Sequence, residues 1–211
     1  MKISKEEIIS FFDELFPHAK CELNYSKDYE LLFAVILSAQ ATDKSVNKVT
    51  DELFKKYPTL DSFCEANVED VEKIIHSVGL SNNKSKNIVN TAKELKNKFN
   101  GVVPSTREEL MSLSGVGRKT ANVVLIEFFK QPEMPVDTHV ERVSKRLKIA
   151  KKDDTVLEVE KKINKLFSKS ELIKLHHQFI FFGRYFCKSQ RPNCIECKLK
   201  HLCSYYKNVC K

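Results

Sequence analysis

Glycine is scarce in this chain, with five in 211 residues. Long apolar runs are missing too. The longest, Leu31–Leu37, is far too short for a bilayer core of about 30 Å. No stretch keeps an alternating apolar–polar pattern for long, which argues against sheets, and there is no low-complexity tract or internal repeat. The opening M-K-I-S-K-E-E is charged where a leader would be apolar, so a cytosolic protein without a membrane partner is expected. Disulfides are uncommon in that compartment, and the seven cysteines therefore need another explanation.

What is present reads as helices. Hydrophobic residues make up 42% and charged residues 30%, an ordinary globular balance. Ser4 and Glu7 form a capping box ahead of a stripe through Ile8, Phe11, Phe12 and Leu15, and Pro17 ends it. Tyr29, Leu32, Phe33, Ile36 and Leu37 mark a helix apolar nearly all round, so a central one. Further helices are expected over 43–56, after a cap at Asn67, over 82–99 up to Gly101, and from Pro104, Ser105 and Glu108 into the next turn. Val140, Val143 and Leu147 mark another, as do Val156, Val159, Ile163, Leu166 and Phe167, and a last long helix spans about 170–186. The chain is therefore expected to be all-α. Pro132 and Pro135 mark the candidate domain junction.

The net charge of +8 favours an acidic partner such as nucleic acid without proving one. Two of the few glycines lie together in L-S-G-V-G-R-K-T-A-N-V-V, residues 113–124. Gly115 and Gly117 bracket a turn that opens a helix, leaving backbone N–H groups suited to a phosphate. Ala121, Val124, Leu125, Phe128 and Phe129 form one stripe of that helix. Lys119 lies about 200° from it and points outward. A surface lysine is the bland reading of that position. Asp137, in P-V-D-T-H-V, follows eighteen residues later.

Cys187, Cys194, Cys197 and Cys203 follow C-x6-C-x2-C-x5-C, close enough for four thiolates to converge on one metal centre. Spacing alone leaves structural zinc and an iron–sulfur cluster about even. Cys21, Cys64 and Cys210 lie outside the pattern. Arg184, Lys188, Arg191, Lys198 and Lys200 crowd the loop with Glu196 as the acid nearby, making it a candidate contact for a nucleic-acid backbone.

L-S-G-V-G-R-K-T-A, V-D-T-H-V and the cysteine pattern, in that order, resemble the endonuclease III family of helix-hairpin-helix DNA glycosylases with AP-lyase activity. Leu37–Asp43 and the Gly79–Leu80 pair match as well. The resemblance implies a six-helix barrel over residues 22–132 and a cluster domain made of 1–21 with 133–211. A cleft between them would hold Lys119 and Asp137. It decides the metal question in favour of [4Fe–4S], and implies a monomer acting on double-stranded DNA with a damaged base or abasic site. Three positions depart from the family pattern: Ser114 replaces a common proline, so the hairpin is expected to be less rigid, and Glu141 and Gln178 replace apolar and aromatic residues.

The same resemblance implies a mechanism. Lys119, its pKa lowered by partial burial, attacks C1′ of an extruded nucleotide, forms a Schiff base and leads to β-elimination. Asp137 stabilises the developing charge. Gln40 fills the vacated space and Leu80 wedges into the opposite strand. Oxidised pyrimidines are the expected lesions. Two rivals are a mismatch adenine glycosylase, which usually lacks the lysine and carries an extra C-terminal domain, and a non-catalytic DNA-binding protein with a cluster.

Overall fold

The computed structural model describes residues 4–209, so Cys210 lies outside the described residues. Among the described residues there are helices and no strands. The chain divides into two compact units, Glu22–Lys130 and Met1–Cys21 with Gln131–Lys211.

The continuous unit carries α2 (Asp28–Leu37), α3 (Asp43–Lys56), α4 (Leu60–Cys64), α5 (Val68–Ile75), α6 (Ser81–Phe99), α7 (Arg107–Met111) and α8 (Arg118–Glu127). Helix α2 is buried from Tyr29 to Leu37, and it packs against α3, α6 and α8. Phe63 is fully buried among Phe33, Tyr57 and Phe54, with ring centroids 4.9, 5.3 and 6.3 Å away. Truncating such a ring costs about 3–5 kcal/mol. Side chains of Thr42, Asn67 and Thr106 cap α3, α5 and α7. The cap of α7 is thus one residue beyond Ser105. Helix α6 ends because Asn100 turns left-handed (φ 52°) and the Gly101 N–H reaches back to the Leu95 carbonyl, as expected for a helix C-terminus.

The discontinuous unit carries α1 (Lys5–Leu15), α9 (Thr138–Arg146), α10 (Val156–Leu166), α11 (Lys169–Phe181) and α12 (Ser204–Val209). Ser4 accepts from the Glu7 N–H, one half of the expected box. Phe12 sits against Phe179 and Phe182, and Phe11 against Phe186, so α1 is held by a cluster of phenylalanines from the end of the chain. Gln178, fully buried, donates to the Asp13 carboxylate at 2.7 Å and so gives an aromatic's place to a polar tie. Glu141 stays near the surface and pairs with Lys145 at 2.6 Å. The expected 170–186 helix is α11 followed by a π turn, Phe182–Phe186.

Candidate active site, hairpin and cysteine loop

Helix α7, the turn at 112–117 and α8 form a helix-hairpin-helix within the continuous unit. Leu113 and Val116 anchor the turn in the core. Gly115 has φ +75°, and a Cβ there would lie 2.5–2.9 Å from the Asn87 side chain, so both conformation and space demand glycine. Gly117 is extended, with nothing within 4 Å of a Cβ. Ser114 is tied on both sides. Its N–H donates to the Glu94 carboxylate at 2.7 Å, and its carbonyl accepts from the buried Thr91 hydroxyl at 2.7 Å. Proline could not make the first of these bonds.

Helix α8 has no side-chain cap and no acid in its first turn, leaving that end electropositive. Lys119 stands in this turn. It is exposed, pointing off the core as the periodicity predicts. The stripe also needs correcting. Ala121–Glu127 are all buried, whereas Phe128 lies past the helix end and is exposed.

Gln40 and Leu80 share an unusual backbone. Both have φ +55°, a strained value for side-chain-bearing residues, and both are exposed, Leu80 by 55%. Leu80 therefore stands away from the core. Among the described residues Gln40 has no hydrogen bond of its side chain to a helix end.

In the discontinuous unit, Asp137 caps α9. One carboxylate oxygen, Oδ1, accepts from the N–H groups of His139 at 2.9 Å and Val140 at 2.8 Å. Oδ2 accepts no bond among the described residues. Asp137 is half-buried, so the second oxygen can serve a ligand without uncapping the helix. Burial pushes the His139 imidazole below its ordinary range, keeping it neutral toward the Arg142 guanidinium 3.2 Å away.

The π turn feeds the cysteine loop. Gly183 lets α9 approach closely, since a Cβ there would stand 2.8 Å from that of His139. Cys187, Cys194, Cys197 and Cys203 line one cavity with Leu147, Phe182 and Phe186. Burial pushes the Cys197 thiol up to about 11 and raises that of Cys187, so thiolates form there when a cation compensates them. Two residues that the sequence did not single out brace this loop. Arg146, 9% exposed, donates to the Cys187 sulfur at 3.3 Å and to the carbonyls of Lys188 at 2.7 Å and Ser189 at 3.1 Å. Arg142 reaches the carbonyls of Gly183 at 2.6 Å and Cys187 at 3.3 Å. Their four-residue spacing was the available signal, because it puts both on one face of α9.

Of the basic residues expected to face nucleic acid, Lys188 and Arg191 are exposed and Arg184 is half-buried. Lys198 is already engaged by Glu14 of α1 at 2.6 Å, an acid that proximity in sequence could not reveal. Among the described residues no helix is long and apolar enough to cross a membrane.

A helix-hairpin-helix followed by an acid-capped helix and a cysteine-lined loop defines a class, the base excision DNA repair proteins of this fold. Residues 33–169 match the model of the HhH-GPD superfamily base excision DNA repair proteins. Endonuclease III of Bacillus subtilis strain 168 is 50% identical over 190 residues, covering 90% of this chain and 87% of that one. The Haemophilus influenzae enzyme is 43% identical over 208 residues, covering 99% and 98%. The structure of a trapped endonuclease III–DNA covalent intermediate superposes with a TM-score of 0.95 at 49% identity, covering 100% of both chains. The chain belongs to the endonuclease III family.

Proposed function

We propose that this protein removes oxidised pyrimidines from double-stranded DNA and cuts the resulting abasic site by β-elimination, with Lys119 as nucleophile. Membership of the family makes it a base excision repair DNA glycosylase and AP lyase. The observation that carries the assignment to Lys119 is its exposure in the first turn of an uncapped helix, directly after the hairpin. The trapped covalent intermediate formed by the 49% identical protein supports it.

The reaction begins with the duplex held by its backbone. The N-terminus of α8, with no side-chain cap and no acid in its first turn, suits a phosphate and reads no sequence. The damaged nucleotide leaves the stack, with Gln40 filling the space it opens and Leu80 wedging into the opposite strand. Their strained, exposed backbones support that role, since strain of this kind concentrates at working positions. The Lys119 amine then forms a bond to C1′ as the base departs with the glycosidic electron pair. A proton lost from nitrogen and the opened sugar ring give the Schiff base. Removal of a C2′ proton then expels the 3′ phosphate. Asp137 supports the first step electrostatically through Oδ2 while Oδ1 keeps α9 capped.

The four cysteines fit a [4Fe–4S] cluster. Their thiols line one largely apolar cavity, and Arg146 adds an N–H donor to the Cys187 sulfur. The bound cluster would supply four metal–thiolate bonds that close the loop at 187–203. Lys188 and Arg191 would then meet the DNA backbone from a fixed frame.

Lys119→Gln should abolish both borohydride trapping on a thymine glycol duplex and strand cleavage, with an unchanged circular dichroism spectrum. Full-strength trapping would assign the Schiff base to another amine. Asp137→Asn keeps a side chain that caps helices about as well as Asp. Base release in single-turnover kinetics should fall on the order of 10²-fold, with thermal stability kept. Wild-type base release would leave Asp137 as a helix cap.

A further inference from the structure

Lys84 is a lysine in a place where lysines are rare. It lies in the first turn of α6 and is only 3% exposed. Its ammonium donates to the Val78 carbonyl at 2.7 Å and has no other polar partner among the described residues. Burying an ammonium against a single carbonyl is unfavourable, and methionine would fill much the same volume without the charge. Burial pushes the Lys84 pKa below the ordinary lysine range.

What the charge touches explains its place. Val78 ends a 3-10 turn, His76–Val78, and the next two residues both have positive φ: Gly79 at 57° and Leu80 at 55°. Gly79 adopts such a value freely, but Leu80 does so under strain. The backbone N–H of Lys84 donates to the Leu80 carbonyl at 3.0 Å. One residue thus grips the turn on both sides of Gly79, by its side chain at Val78 and by its backbone at Leu80. Ser81 and Asn82 fix the same helix end to Glu72 of α5 at 3.2 and 3.1 Å. The turn is held from beneath while Leu80 stands outward.

We propose that Lys84 is a positioning residue for Leu80: its bond to the Val78 carbonyl holds the 78–80 turn in the strained form that presents the leucine to the duplex. This rests on the reading of Leu80 as the wedge. Without the clamp the turn relaxes, and the apolar side chain must be re-ordered each time DNA is opened. Lys84 touches no reacting atom. Its effect is confined to how readily the target pair is separated.

A four-member cycle tests this: wild type, Leu80→Ala, Lys84→Met and the double variant. The probe is a duplex with one thymine glycol opposite 2-aminopurine, whose fluorescence rises when it is unstacked. Leu80→Ala and Lys84→Met should each slow single-turnover base release about tenfold and blunt the fluorescence rise, while the double variant is no slower than Leu80→Ala alone. Lys84→Met should melt at or above the wild-type temperature and bind undamaged duplex as wild type does, a pattern that loss of a merely structural lysine would not give. Losses that multiply in the double variant overturn the proposal, as does a Lys84→Met variant at wild-type rate beside a slow Leu80→Ala. Leu80→Ala at wild-type rate removes the wedge reading itself, and the proposal with it. If Lys84→Met does not fold, Lys84→Gln takes its place in the cycle under the same criteria.

Discussion

The hairpin turn at 112–117 and the cysteine loop at 187–203 are both short of regular structure, and each is braced by one face of a neighbouring helix. The braces differ in sign. Helix α6 offers Asn87, Thr91 and Glu94, at intervals of four and three residues. They pack Gly115, accept the Ser114 N–H and donate to the Ser114 carbonyl. Helix α9 offers Arg142 and Arg146, which gather carbonyls of the cysteine loop. The hairpin is finished by protein groups alone, with Leu113 and Val116 in the core beneath it. The cysteine loop keeps four thiols turned to a cavity, so on the proposed reading part of its bracing would come from the metal centre they hold. On that reading a loop that meets phosphate is tied internally, whereas a loop that carries basic residues on a metal frame would be tied through its ligands.

The sharpest way to break this contrast is Cys194→Ser. It should remove most of the iron and sulfide and open 187–203 to limited proteolysis, leaving residues 22–130 as resistant as before. Equal loss of protection in both units would mean that the hairpin depends on the cysteine loop after all. A smaller effect is expected at Glu94. Glu94→Ala leaves the Ser114 N–H without its acceptor, a loss on the order of 1–2 kcal/mol. It should weaken undamaged-duplex affinity several-fold. Adding Ser114→Pro to that variant should restore much of the affinity, because proline has no N–H to satisfy. Failure of the second change to help would show that Glu94 acts through something other than this bond.

The smallest expected effect is a pH dependence beside the arginine brace. His139 has a folded pKa below the ordinary 6.5, because burial disfavours its charged form. The folded state therefore binds fewer protons than the unfolded chain just below that value. Stability from this group is complete above about 6.5 and declines as pH falls toward the folded pKa. His139→Gln should flatten the drop in urea midpoint between about pH 7.5 and 5.5. An unchanged drop would place the titration at another residue.

Much of this could be read from the residues. Apolar spacing and caps such as Asn67 marked the helices because both signals are local. Lys119 was placed off the core correctly. What stayed hidden depends on partners distant in sequence or on backbone that side chains do not announce. Lys198 finds its acid 184 residues away. Gln40 and Leu80 take left-handed φ with no glycine or asparagine to signal it. Arg146 and Lys84 carry no local sign of burial, because arginine and lysine are usually solvated. The Phe128–Phe129 pair extended a stripe that the backbone ends first.

The split ownership of the chain ends has a consequence during synthesis. Residues 22–130 leave the ribosome as one stretch and can fold at once, while α1, already made, belongs with segments still to come. Asp13 must wait 165 residues for Gln178, and Phe11 and Phe12 wait about as long for Phe179, Phe182 and Phe186. At translation rates of about 5–20 residues per second, that is roughly ten to thirty seconds with two phenylalanines uncovered. The nascent chain therefore carries α1 with its apolar face uncovered until the later helices of its unit are made.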